Sequence, residues 1–278
     1  MTADVNLVVM PPRELDGQEP PAAIAAAMQH ADLVVSLVAR SITHTSAVQG
    51  ALKAGARAVM LTAFTESMLL RGGIDYDFRA NRDFCFHVAK LLTDAREAHL
   101  TTPNGTDLRM DISGRPGNPH SGVVFGPGEM TTVPNAESSV SPIEGSSHGT
   151  IVGDASIPYY EIGLLSEPVR MDVVEGSVTR ITGGHQAQMI ERMMAQQNDP
   201  NVYNIAQLSF GLNPMCKMQG IMLEDEGVYG TSHIGIGTST LLGGTVKAPM
   251  HYDIIMWNPT LELDGEVILR DGEWLSRG

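Results

Sequence analysis

Residues 231–259 read TSHIGIGTSTLLGGTVKAPMHYDIIMWNP, and two runs inside that stretch set the reading of the chain. MHYDIIMW is dense in branched and aromatic residues, and Pro249 and Asn258-Pro259 bracket it, so it reads as a short β-strand. SHIGIG is a second strand-like run, and the glycines of LLGG between them suit a tight connection. Successive side chains on a strand point to opposite faces. His251, Asp253, Ile255 and Trp257 therefore share one face, and Tyr252, Ile254 and Met256 the other. A His-x-Asp pair on one face offers a nitrogen and an oxygen to one ion, and His233, 18 residues before His251, offers a third ligand. Two histidines and one carboxylate are the ligand set of mononuclear non-heme Fe(II) oxygenases. Zinc accepts the same donors with one position open. A hydrogen-bonded His–Asp pair at a strand end is the plainer reading of the same spacing.

Outward from that stretch, the chain from about residue 96 is rich in β-branched residues, Gly, Pro and Ser. Asn104-Gly105 sits between two strand-like runs as a hairpin signal, VRMDVVEGSVTRITGG reads as another hairpin, and Asp264-Gly265 and Asp271-Gly272 stand at turn positions. His185–Gln197 interrupts this pattern with one helix. The first ninety residues alternate instead. Val5–Val9 is a short apolar run, AAIAAAMQHA reads as a helix after Pro20-Pro21, DLVVSLV (32–38) as a buried strand, HTSAVQGALKAGA as a helix capped from 41–43, and RAVMLT (57–62) as a strand. Residues 65–70 and 75–97 read as helices. Such alternation implies a parallel sheet covered on both faces. The expected fold is thus an α/β domain over residues 1–95, followed by a mostly antiparallel β-rich (α+β) domain over residues 96–278 that holds the metal ligands.

The 278 residues, 42% hydrophobic and 18% charged, fit a globular chain. The net charge is −14 and the basic residues form no cluster, which argues against nucleic acid as a partner. No apolar run reaches the length of a membrane span. The first residues lack a basic region of the signal-peptide kind, and the two cysteines, Cys85 and Cys216, are too few for a disulfide framework, so a cytoplasmic protein is expected.

Other residues carry possible chemistry. Glu137, in VPNAESSVSPIEG, is a candidate ligand or a solvated carboxylate. His148, beside glycine in EGSSHGT, is a candidate acid/base or a surface histidine. His44 follows the second strand, where the carboxyl edge of a parallel sheet tends to bind ligands, although a water-exposed helix start accounts for it equally well. Gln207 is a neutral amide in a strand-like run. Glu224, Asp225 and Glu226 form an acidic triplet near His233, a pattern most often found in solvated turns.

The segments RSITHTSAVQGALKAGARAVMLTAFTESMLLRGG, LTTPNGTDLRMDI, VPNAESSVSPIEGSSHGTIVGDASI, NIAQLSFGLNP, LEDEGVYGTSHIGIG and GGTVKAPMHYDIIMWNPTLELDGEVI together resemble the thermophilic metallo-aminopeptidase family (aminopeptidase T/S type). They are most similar to its 2,5-dihydroxypyridine 5,6-dioxygenase branch, as is PPRELDGQEPPAAIAAAM. The N-terminal α/β region looks shorter than in most members. For the peptidases the resemblance implies two metals, on ligands matching Glu137, Gln207, His233, His251 and Asp253, and on a tyrosine where this chain has Thr240. For the dioxygenase branch it implies one Fe(II) on His251, Asp253 and a further histidine, matched by His233 or by position 207. Glu137, His148 and His44 would then stand around the ring. The expected function is an Fe(II)-dependent, extradiol-like, ring-cleaving dioxygenase. Its substrates would be O₂ and a hydroxylated N-heteroaromatic such as 2,5-dihydroxypyridine. The alternatives are a metal-dependent aminopeptidase or amidohydrolase using Zn, Co or Mn, and a member that has lost catalysis. A homo-oligomer is expected from the same resemblance.

Overall fold

A computed structural model describes residues 4–14, 17–43, 45–159 and 162–276. Thr231–Gly237 and His251–Trp257 are strands paired antiparallel, with His233 opposite Ile255, Gly235 opposite Asp253 and Gly237 opposite His251. Residues 238–250 join them as a longer loop rather than a tight turn, closed by Thr238 N–H donating to Met250 O and Ser239 N–H to Val246 O. Around this pair runs a seven-stranded antiparallel sheet. Its order is Gly163–Leu164, Ser156–Ile157, His251–Trp257, Thr231–Gly237, Ile205–Gly211, Glu137–Val140, Asn118–His120. Every residue of Ile205–Gly211 and Thr231–Gly237 is buried.

The two faces of this sheet differ in kind. Val140, Leu208, Phe210, Ile234, Ile236, Tyr252, Ile254 and Met256 enter the main core. That core is shared with an eight-stranded antiparallel sheet, in which Glu97–Thr101 and Asp107–Asp111 form the hairpin expected at Asn104-Gly105. Val169–Val174 and Ser177–Thr182 form the second expected hairpin. Helix Phe78–Asp94, capped by Asp77 accepting from Ala80 N–H at 3.0 Å, sends Phe84, Cys85, Val88 and Leu92 into the same core. Helix His185–Gln196 adds Ile190 and Met194.

The N-terminal sheet is small and parallel: Leu33–Val38 pairs Arg57–Thr62, which pairs Met130–Thr132. Helices Ala22–Gln29 and Ser46–Lys53 and this sheet share a second core around Met28, Val48, Ala51 and Met60. The second helix is capped by Thr45, whose hydroxyl accepts from Val48 N–H, and not from within 41–43. Two expectations fail here. Leu33, Val35 and Leu37 are 44%, 56% and 58% exposed, so the Leu33–Val38 strand is not covered on both faces by the described residues. The two helices pack on each other, which leaves the outward face open. Residues 5–9 form no strand, and Val5, Leu7 and Val9 are exposed. The two cores also do not divide at residue 95, because helix 78–94 belongs to the large core and strand 130–132 to the small sheet.

Candidate metal centre

The second face of the seven-stranded sheet is polar. Residues opposite each other across antiparallel strands share a face. Gln207, Gly235 and Asp253 therefore form one line across three strands, and Ser209, His233 and Ile255 form the next. Glu137 faces Gly211 on one side and His120 on the other, which puts Glu137 and His120 on this face too. His251, two residues before Asp253, completes the group. Alternation along His251–Trp257 thus sends Tyr252, Ile254 and Met256 to the core and His251 and Asp253 to the polar face.

The side chains converge. His251 Nε2 lies 3.3 Å from Asp253 Oδ1 and 3.1 Å from Gln207 Oε1. His233 Nε2 lies 3.9 Å from Asp253 Oδ1 and 3.5 Å from Glu137 Oε2, which also accepts from Ser209 Oγ at 3.3 Å. His251 Nδ1–H donates to Thr238 O at 2.9 Å, which fixes the ring and turns Nε2 inward. Gly235 leaves the room for this. A Cβ there would lie 2.5 Å from His251 Nε2 and 2.8 Å from Gln207 Cβ.

Burial and charge set the protonation states. Burial drives the His233 imidazole down to about 4 against the pull of Asp253, so it is neutral at pH 7. His251 is raised: burial opposes the charge, but Asp253 and the Thr238 carbonyl outweigh it. Asp253 is lowered, because His251 and His233 outweigh the burial that would raise it. Burial, then the charge of Asp253, pushes Glu137 up to about 8. Burial, then Asp253 and Glu137, raises Glu226 well above the usual carboxylate range.

Among the described residues, no three His, Cys, Asp or Glu side chains stand as a finished metal cage. The donor set nevertheless fits a cation. Ligands about 2.1 Å from one ion sit about 3.0 Å apart when adjacent and about 4.2 Å when opposite. The separations of 3.1 to 3.9 Å fall inside that window. Asp253 Oδ1, though at ion-pair distance from His251, is buried with no aligned hydrogen bond, and His233 Nδ1 is likewise buried without a partner. A buried carboxylate oxygen flanked by two imidazole nitrogens is a place that a cation stabilises.

Of the expected site residues, His233, His251, Asp253 and Glu137 are brought together. His148 is not: it is exposed at the start of strand His148–Gly153 in the eight-stranded sheet, opposite Arg109, and its Nδ1 accepts from Glu175 N–H at 3.3 Å. His44 lies outside the described residues. Met130 packs against the small N-terminal core, away from this face. The acidic triplet is buried, not solvated. Asp225 accepts from Ser156 Oγ, Gln219 N–H and Gly220 N–H, and Glu224 from Gly73 N–H and Lys217 N–H. His120 escaped the sequence reading. It sits in a short strand, Asn118–His120, with no hydrophobic pattern to announce it, yet its register against Glu137 puts it on the polar face.

The profile of the family described as NicX, 2,5-dihydroxypyridine 5,6-dioxygenase, matches residues 12–276. A 2,5-dihydroxypyridine 5,6-dioxygenase of Pseudomonas putida KT2440 is 26% identical over 259 residues, covering 89% of this chain and 72% of that protein. The solved structure of 2,5-dihydroxypyridine dioxygenase from the same organism superposes with a TM-score of 0.79 at 25% identity, over 91% of this chain and 74% of that one. Wild-type AmpT from Thermus thermophilus superposes with a TM-score of 0.67 at 13% identity, over 92% of this chain and 80% of that one, a likeness of fold alone.

Proposed function

The chain belongs to the NicX family of 2,5-dihydroxypyridine 5,6-dioxygenases, and from that premise we propose that it is an Fe(II)-dependent dioxygenase opening a hydroxylated N-heteroaromatic ring such as 2,5-dihydroxypyridine. The observation that carries the reading is the convergence of His233, His251 and Asp253 on one buried polar face. Those three would hold the metal. When bound, Fe(II) in a two-histidine, one-carboxylate site supplies adjacent open positions for a ring hydroxyl and for O₂. The reaction balances without an external reductant, since both oxygen atoms of O₂ enter the product at the two carbons of the broken ring bond.

The protein's own groups do the rest. Glu137, which burial and the charge of Asp253 push up to about 8 in the metal-free protein, is placed to hydrogen-bond a ring oxygen or nitrogen and fix the ring's orientation. His120, half-buried opposite Glu137, is placed to take the hydroxyl proton as the ring enters. The expected bases His148 and His44 are not needed for this. The core on the far side of the sheet and the buried strands at its centre keep bulk water from the donor atoms. The open apolar face at Leu33, Val35 and Leu37 supports a homo-oligomer. The free, buried cysteines Cys85 and Cys216 are compatible with a reducing cytoplasm. Among the described residues no helix is long and apolar enough to cross a membrane.

The test is anaerobic reconstitution with Fe(II), Zn(II), Co(II) and Mn(II), followed by O₂ uptake on a panel of dihydroxypyridines and catechols. Fe(II)-specific uptake with both atoms of ¹⁸O₂ in a ring-opened product is expected. Release of leucine from a leucyl amide by the Zn(II) or Co(II) form, with no O₂ uptake by any form, would establish the hydrolytic alternative.

A further inference from the structure

We propose that two copies of the chain associate by exchanging strands: residues 5–9 of each extend the small parallel sheet of the other along the free edge of Leu33–Val38. This names the surface behind the homo-oligomer proposed above, rests on that reading, and is independent of the metal site.

Leu33–Val38 is the outer strand of its sheet. It bonds to Arg57–Thr62 on one side and to no strand of the described residues on the other. Such an edge presents a row of N–H and C=O groups that templates pairing with another chain, and soluble proteins guard it with lysine, proline or a bulge. LVVSLV has no charged residue and no proline, and its register against the neighbouring strand is unbroken. Its outward face, Leu33, Val35 and Leu37, is apolar and open as well.

The same chain carries a segment of matching kind. Residues 5–9 read VNLVV, and their four apolar side chains are 55–89% exposed. Among the described residues these five make no backbone hydrogen bond. Their composition suits a strand, in which Val5, Leu7 and Val9 would share one face. Met10 packs on the small N-terminal core, so the segment leaves the fold close to that sheet. An unpaired edge and an unpaired strand former thus occur once each in every copy. Exchange about a twofold axis satisfies both in both copies, and the assembly closes at two.

Area and charge favour a second copy as the occupant. The exposed parts of Leu33, Val35, Leu37 and the four apolar side chains of the segment present roughly 800 Å² on each copy, one partner's share of a standard-sized interface. The net charge of −14 opposes contact between copies over most of the surface. Residues 5–9 and 33–38 carry no charge, so this patch is where two copies can meet without that penalty.

The test is sedimentation equilibrium of the whole chain over a concentration series, with hydrogen exchange at the two ends of the series. A dimer is expected, with the amides of residues 5–9 protected when it is populated and exchanging freely on dilution. Leu7→Pro removes a ladder donor from the segment and Val35→Lys puts a charge at the centre of the face, so each should weaken dimerisation at least about tenfold. Circular dichroism checks the fold; if Val35→Lys misfolds, Leu7→Pro decides alone, because the segment bonds to nothing in its own chain. An oligomer that keeps wild-type affinity in Leu7→Pro would overturn the exchange and leave the homo-oligomer standing on another surface. A monomer at every concentration would overturn both, and protection of residues 5–9 in that monomer would mean that the segment pairs with its own edge.

Discussion

His251 occupies the most constrained place among the site residues. One ring nitrogen is tied to Thr238 O, and the other points at Asp253 and Gln207. Replacing His251 or Asp253 by alanine removes a donor that no neighbour duplicates. Each variant is expected to lose bound metal completely, measured by elemental analysis after reconstitution. Gly235→Ala keeps every ligand but pushes the His251 ring aside, because its Cβ would stand 2.5 Å from Nε2. A folded protein with at least about tenfold weaker metal binding is expected, read by chelator competition. At this scale the sequence was informative within a strand. The period of two placed His251 with Asp253 and away from Tyr252, and the strand-like run SHIGIG marked His233 as a third donor. It was silent across strands: the proximity of Gln207 to His251, and of His120 to Glu137, depends on register between segments far apart in the chain. His148 misled for the same reason. Glycine beside it suggested a pocket, but its strand pairs into the other sheet.

Among the elements, the three central strands of the seven-stranded sheet carry the site, and their far face is held by the main core. Trp274 closes one end of that core. Its ring meets Phe84 and Phe210 edge to face, with centroids 6.0 and 5.4 Å apart. Trp274→Ala should cost about 3–5 kcal/mol in urea unfolding, as large aromatic truncations in a core do. Hairpins were legible because Asn-Gly and Asp-Gly fix their own turns; Gly105 and Asp264 both take positive φ. The parallel sheet was legible in part. DLVVSLV has the composition of a buried strand, but composition does not say whether a helix lies over each face, and here Leu33, Val35 and Leu37 stay open. The third parallel strand, Met130–Thr132, arrives from beyond the hairpin region, a pairing that no local pattern announces.

For the molecule as a whole, the buried site couples stability to pH and to metal. Glu137 is raised from 4.5 to about 8, and His251 is raised above 6.5. A group whose folded value is raised gives its full stabilisation below the unfolded value and loses it as pH climbs through the folded one. Between pH 6.5 and about 8 both groups therefore act in the same direction. The melting temperature of the metal-free protein should fall over that interval. A divalent cation offsets the crowded negative charge and competes with the His251 proton, so it should raise the melting temperature more at pH 8 than at pH 6.5, as scanning calorimetry would show. A metal-free melting temperature that climbs across the interval would mean these groups are not buried as described. The most direct measurement of all is anomalous diffraction at the iron edge from crystals loaded anaerobically with Fe(II). One peak is predicted over Gly235, at bonding distance from His233 Nε2, His251 Nε2 and Asp253 Oδ1. A peak elsewhere, or one lacking either the imidazole of His251 or the carboxylate of Asp253, would contradict the assignment.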